Sequence, residues 1–197
     1  MIIGLTGGIG SGKSTVAKMF LKFDGVVLYH ADEEAKRLMN NDADLREQLC
    51  ATFGDETYTA EGILNRQHLA SIVFKDASQL AKLNAIVHPA VHRHLQHFIA
   101  SHQEATYILY ENAILFENGS SGFCDRIITV TAPIATRIER VMQRDQCSAE
   151  DVQNRMDKQW AENKKILQSN YIINNQDLTK TAEQVLRIHN FLTTKPN

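Results

Sequence analysis

The chain has 197 residues, 43% of them hydrophobic and 22% charged, with a formal net charge of -2. That length allows one sizeable core with an inserted substructure, and the near-neutral balance speaks against a dedicated nucleic-acid binder, which carries a strong basic excess. No apolar run approaches the roughly 20 residues that span a bilayer, no secretory apolar segment fits the N-terminus, and Cys50, Cys124 and Cys147 are too widely spaced for a zinc or disulfide framework, so the expectation is a cytoplasmic protein with reduced thiols.

In chain order, Met1–Leu5 reads as a strand, followed by a glycine-rich loop and a helix over Lys13–Lys22. Val26–Tyr29 is a second strand. Asp32, with Glu33 and Glu34 behind it, reads as the N-cap of the next helix. From about Ala43 to Gln103 the pattern is helical, in the segments "LREQLCATFG", "RQHLASIVF", "ASQLAKLNAIV" and "PAVHRHLQHFIASH". Pro89 is expected to open the last of these. Tyr107–Tyr110 and Ile127–Val130 are strands, and Ile134–Asp145 and Ser148–Trp160 are polar helices. "NYIINN" holds a final strand and "DLTKTAEQVLRIHNFL" a closing helix. Strands alternating with helices predict an α/β fold with a mainly parallel sheet covered on both faces. The expected division is a nucleotide-binding core over 1–42, 104–136 and 164–197, a helical substrate domain over 43–103, and a lid over 137–163.

Gly7–Ser14 matches G-x-x-x-x-G-K-[ST] between a predicted strand and a predicted helix, the context that this phosphate loop requires. Its backbone N–H groups and the helix N-terminus attract an anion. Lys13 would neutralise β- and γ-phosphate oxygens, the Ser14 hydroxyl would ligate Mg²⁺, and Thr15 could reach the α-phosphate. No guanine-reading N/T-K-x-D stretch and no D-x-x-G switch occurs, which leaves a small phosphotransferase.

Phosphoryl transfer to a hydroxyl needs a carboxylate beside the γ-phosphate, and in a parallel sheet that place is the carboxyl end of a strand. Asp32, just past Val26–Tyr29, is the candidate base and acceptor-binding residue. Glu111, ending "YILYE", resembles a Walker B acid acting on Mg²⁺. Arg137, Arg140 and Arg144 share one helix face. Arg140 and Arg144 are expected to clamp the phosphates, with Arg137 at the surface. Five of the eight histidines crowd into His88–His102, and the expected role is helix surface and pocket lining. Three readings remain open at this point: a kinase of some small acceptor, a nucleotide kinase, and a non-catalytic ATP-binding sensor.

"LTGGIGSGKSTV", "HAD", "EGILNRQHLASIVF", "NAIVHP", "AILFE", "MQRD" and "YIINN" occur in the order and spacing of the dephospho-CoA kinase family, which the chain resembles over almost its whole length. The resemblance implies a P-loop kinase core of five parallel strands with a helical CoA-binding insertion and a lid. It implies ATP-dependent phosphorylation of the ribose 3′-hydroxyl of dephospho-CoA, the last step of coenzyme A biosynthesis, with no obligatory protein partner. Residue by residue, Gly10, Ser11, Gly12, Lys13, Ser14 and Thr15 look like the ATP loop. Asp32 resembles the family's catalytic acid and Arg140 its lid arginine. His88-Pro89 resembles the His-Pro that opens the long substrate-domain helix, and Asn174 and Asn175 fall near the adenine. The chain departs from many members in carrying His30 in place of Asp, Glu111 in place of Asp, and Ile173 within Ile-Ile-Asn in place of Ile-Asp-Asn.

Overall fold

The computed structural model describes residues 1–73 and 75–194. Five short strands form one sheet: β1 (Ile2–Thr6), β2 (Val26–His30), β3 (Tyr107–Glu111), β4 (Arg126–Thr131) and β5 (Tyr171–Asn174). Their order is β2-β3-β1-β4-β5 and every pairing is parallel. β1 therefore lies between β3 and β4, and the chain leaves it toward one side first and the other later. The carboxyl end of such a switch point is where open α/β sheets bind ligands.

The chain divides into two compact units, Met1–His30 with His102–Asn197, and Ala31–Ser101. In the first, α1 (Lys13–Phe20) packs against α9 (Leu178–Thr193). Ile3, Leu5, Leu109, Ile128, Val130 and Ile173 from the strands meet Val16, Phe20, Val185 and Ile188 from these helices in one buried cluster. Strand alternation puts these residues on one face, and each large one contributes roughly 1.5–3 kcal/mol by burial. The other face of β1 carries Gly4, where a Cβ would press on Cys124 Sγ and a Leu115 methyl at 2.8 Å. Burial there pushes the Cys124 thiol up to about 12, so it is an inert filler. The remaining helices are α6 (Ile134–Asp145), α7 (Ala149–Met156) and α8 (Glu162–Leu167).

The second unit holds α2 (Ala31–Asn41), α3 (Ala43–Phe53), α4 (Arg66–Val73) and α5 (Ala77–Ser101). Asp42 caps α3 by accepting from Leu45 N–H at 2.9 Å, and Gly54 ends it at φ 87°. The first three helices pack on α5.

Three expectations change. Asp32 is not an N-cap: α2 follows β2 directly, so Asp32 stands inside the first turn. Pro89 does not open a helix. It lies within the 25-residue α5, where it removes the N–H that would bond to the Ala85 carbonyl. The buried stripe of Val87, Ala90, Val91 and Leu95 holds the helix together across that gap. The helix expected over Ser148–Trp160 stops at Met156, and a separate α8 follows. Phe74, the last residue of the "RQHLASIVF" segment, lies outside the described residues, as do 195–197 at the end of the expected core.

Candidate active site

The glycine loop leaves β1 at Gly7 and runs into α1. Thr15 and Val16 N–H both donate to Gly12 O, at 3.0 and 3.1 Å, and so open the helix. A helix N-terminus attracts anions, and that of α1 lies at the end of the glycine loop. Lys13 Nζ reaches back across the loop to Gly7 O at 3.0 Å. Ser14 and Thr15 are exposed, while Ser11 is fully buried. Two glycines are dictated by close approach as well as by φ. At Gly12, φ is +88° and a Cβ would overlap Asn175 Nδ2. At Gly10, φ is +78° and a Cβ would overlap the Arg137 carbonyl oxygen.

Beside the loop, at the end of β3, Glu111 sits in register with Leu5 of β1 and His30 of β2. His30 Nδ1 is hydrogen-bonded to Glu111 Oε2. The carboxylate is thus held by an imidazole on one oxygen, in a position where its side chain is only 14% exposed.

The three arginines of α6 behave differently from one another. Arg137, expected at the surface, is buried. Its Nε donates to Ile9 O at 2.9 Å and its Nη1 pairs with Glu162 at 3.1 Å. Burial lowers its pKa, with Glu162 acting in the opposite sense. A guanidinium here fills the space left by a glycine loop too tight for side chains, which is why it is drawn inside. Arg140 Nη2 donates to Asn175 O at 3.0 Å, and its Nη1 is buried with no hydrogen-bond partner. That Nη1 lies 3.7 Å from where a Gly12 Cβ would stand, so a charged donor is left open beside the loop. Arg144 is 63% exposed and forks onto Asp145, which Arg155 also pairs. Hydrogen bonds from Arg144 and Arg155 hold the Asp145 carboxyl down at about 2.

Asn175 Nδ2 donates to Ser11 O at 2.9 Å, and its Oδ1 accepts from Thr181. It ties the end of β5 to the loop. Asn174 is exposed.

The dephospho-CoA kinase family model matches residues 1–181. The chain belongs to the dephospho-CoA kinase family. A dephospho-CoA kinase from Bacteroides fragilis is 36% identical over 194 residues, covering 98% of this chain and 93% of that one. One from Mannheimia succiniciproducens is also 36% identical, over 95% of this chain and 89% of that one. A solved structure from Thermus thermophilus superposes with a TM-score of 0.88 at 34% identity, covering 99% of this chain and 98% of that one.

Within this dephospho-CoA kinase family member, the second compact unit carries two of the expected residues. Asp32 is exposed near the start of α2. His88 lies mid-way along α5, half-buried, and desolvation lowers its pKa. Among the described residues no group of three or more His, Cys, Asp and Glu could hold a metal ion.

Sequence reasoning missed Gln159 beside the loop and, behind β3, the set of Glu117, Trp160 and Lys165. Gln159 Oε1 accepts from Ile9 N–H at 2.9 Å. Glu117 Oε1 accepts from Trp160 N–H at 2.9 Å and pairs with the fully buried Lys165 at 2.7 Å. Burial pushes the Glu117 carboxyl up, but the bonds from Lys165 and Trp160 outweigh it and leave the pKa below its ordinary value. Glu117 and Lys165 stand in stretches with ordinary charge patterns, so only their burial marks them out.

Proposed function

We propose that this chain transfers the γ-phosphoryl group of ATP to the ribose 3′-hydroxyl of dephospho-CoA, giving CoA and ADP, the last step of coenzyme A biosynthesis. The observation that carries phosphoryl transfer is the open, buried Arg140 donor beside a complete phosphate loop. Family membership carries the acceptor.

In this reading the loop Gly10–Thr15 wraps the phosphates, with the N–H groups that are not spent on Gly8 O and Gly12 O turned toward them, and Lys13 exchanges Gly7 O for a β- or γ-oxygen. Arg140 Nη1 meets the charge that develops on the transferring group, where a preorganised donor acts most strongly. Asp32 accepts the proton of the 3′-hydroxyl as the O–P bond forms, and ADP leaves with the electron pair of the broken bond. Asn174 faces the adenine, with Asn175 behind it supporting Ser11. Arg144 releases Asp145 to reach the phosphates. The helical segment 43–103 takes the CoA portion, with His88 in its pocket, and 137–163 closes as a lid that excludes water. A cytoplasmic setting suits the reaction, and no helix among the described residues is long and apolar enough to cross a membrane.

The residues present fit Mg²⁺. Ser14 Oγ is exposed, and the Glu111 carboxylate keeps one oxygen not bonded to His30. Two hard oxygen donors, with phosphates and water completing the shell, are what this ion takes. When bound, it would neutralise the bridging phosphate oxygens.

The test is to incubate the protein with ATP, Mg²⁺ and dephospho-CoA and to weigh the products. CoA and ADP in equal amounts are expected. ATP hydrolysis without CoA, or phosphate on another acceptor offered in parallel, would overturn the assignment.

A further inference from the structure

Ile9 lies within the phosphate loop, and both of its backbone polar groups are held by side chains from far along the chain. Arg137 Nε donates to its carbonyl at 2.9 Å, and Gln159 Oε1 accepts from its N–H at 2.9 Å. Arg137 also lies against the loop on either side of Ile9. A Cβ at Gly8 would overlap its guanidinium, and one at Gly10 would overlap its backbone. An arginine buried this far needs a partner, and Glu162 supplies it at 3.1 Å.

Gln159 and Glu162 belong to one short stretch that is fastened a second time. Trp160 N–H donates to Glu117 at 2.9 Å, and Lys165 Nζ binds Glu117 at 2.7 Å and Ala113 O at 2.8 Å. The Trp160 ring stacks on Phe116, with centroids 6.0 Å apart and planes 3° apart. The stretch 159–165 is therefore joined to the loop at Ile9 and to the segment after β3 at Glu117.

We propose that Arg137 and Gln159 are positioning residues of the phosphate loop, fixing the two peptides that flank Ile9 and coupling loop occupancy to the stretch that carries Trp160. Ile9 N–H lies in the Gly8–Ile9 peptide and Ile9 O in the Ile9–Gly10 peptide, so the two bonds restrain two successive peptide planes, and with them the directions of the neighbouring N–H groups that a triphosphate must find. A loop of glycines has no side chains of its own to do this, and glycine backbone is the most costly to order. Because Ile9 N–H is spent on Gln159, the phosphate donors begin at Gly10. The inference rests on the reading of Gly7–Ser14 as the triphosphate site.

Trp160 is the single tryptophan of the chain, so its emission reports this stretch without interference. The experiment titrates MgATP, with acceptor left out, into the wild-type protein and into Gln159→Leu and Arg137→Lys. Binding is read by calorimetry and by Trp160 emission, and each KM is read in the complete assay. Gln159 is half-exposed, so its variant is the one that keeps the fold. The wild-type emission changes as MgATP saturates. In Gln159→Leu the Kd and KM for ATP rise about tenfold, as expected for a lost hydrogen bond beside a charged ligand, and the emission change shrinks. The KM for dephospho-CoA and the melting temperature stay near wild type. Arg137→Lys moves ATP binding the same way. ATP affinity within about twofold of wild type in Gln159→Leu overturns the proposal, as does wild-type binding with no emission change. Failure of the wild type to bind MgATP at all would instead remove the reading of the loop.

Discussion

Asp32 and His30 stand two residues apart and are assigned opposite kinds of work. A general base is typically worth about 10²–10⁴-fold. Asp32→Asn keeps the shape and loses the proton acceptor, so kcat is expected to fall at least about 100-fold while the calorimetric Kd for MgATP is unchanged. A fall of less than about tenfold would retire Asp32 as the base. His30 is hydrogen-bonded to Glu111 Oε2, and in the proposed reading the other oxygen is the one that turns toward the metal. Partners that orient a ligand commonly matter about 10–100-fold in metal affinity. His30→Ala is expected to raise the Mg²⁺ concentration for half-maximal activity about tenfold, and Mn²⁺ binding followed by electron paramagnetic resonance should weaken in parallel. An unchanged Mn²⁺ affinity would mean that Glu111 needs no orientation. Of this site, the loop, Glu111 and the arginine spacing were legible in sequence, because each is a local pattern. The inward turn of Arg137 was not, because it depends on glycines about 130 residues away leaving room for it.

At the level of elements, the strands follow their apolar runs closely, since a buried parallel strand is a short hydrophobic block. Where sequence and structure part, a long-range bond outweighs local propensity. Ser148–Trp160 could continue as one helix, but Gln159 and Trp160 are bound to Ile9 and Glu117 instead. The Glu117–Lys165 pair that anchors this bend is largely buried, at 13% and 0% exposure. Removing one member of such a pair strands the other. Lys165→Met is therefore expected to lose about 3 kcal/mol of unfolding free energy, and Glu117→Gln added to it to recover most of that. Denaturant unfolding of the single and double variants measures both. The pH dependence follows from the lowered Glu117 pKa. The stabilisation is fully present above the unfolded value of about 4.3 and is lost as pH falls through the folded value. The wild-type advantage over Glu117→Gln should therefore hold at neutral pH and shrink below about pH 4. An advantage that persists in acid would show that the carboxylate is not what holds the bend.

For the whole molecule, strand order is the feature that no local pattern carries. Five strands were visible in sequence, but the order β2-β3-β1-β4-β5 depends on which edges each crossover returns to. That order puts Glu111 beside Leu5 and the loop, and so makes a switch-point site out of residues more than 100 positions apart. The entire 31–101 unit is the crossover between β2 and β3, so a helical unit is inserted between two strands without interrupting either of them. A ligand that binds only the folded state stabilises it by about 2.7 kcal/mol at a concentration of 100 Kd. In a chain of this size each kcal/mol moves the melting temperature about 2–4 °C. MgATP at about 100 times its Kd should therefore raise the melting temperature of the sheet unit by about 5–10 °C. Lys13→Ala should abolish most of that rise, because the loop then lacks its only side-chain ammonium. Amide exchange on the same samples should show new protection over β1, the loop and α1 in the wild type. An equal thermal shift in Lys13→Ala would place the nucleotide somewhere other than the end of β1.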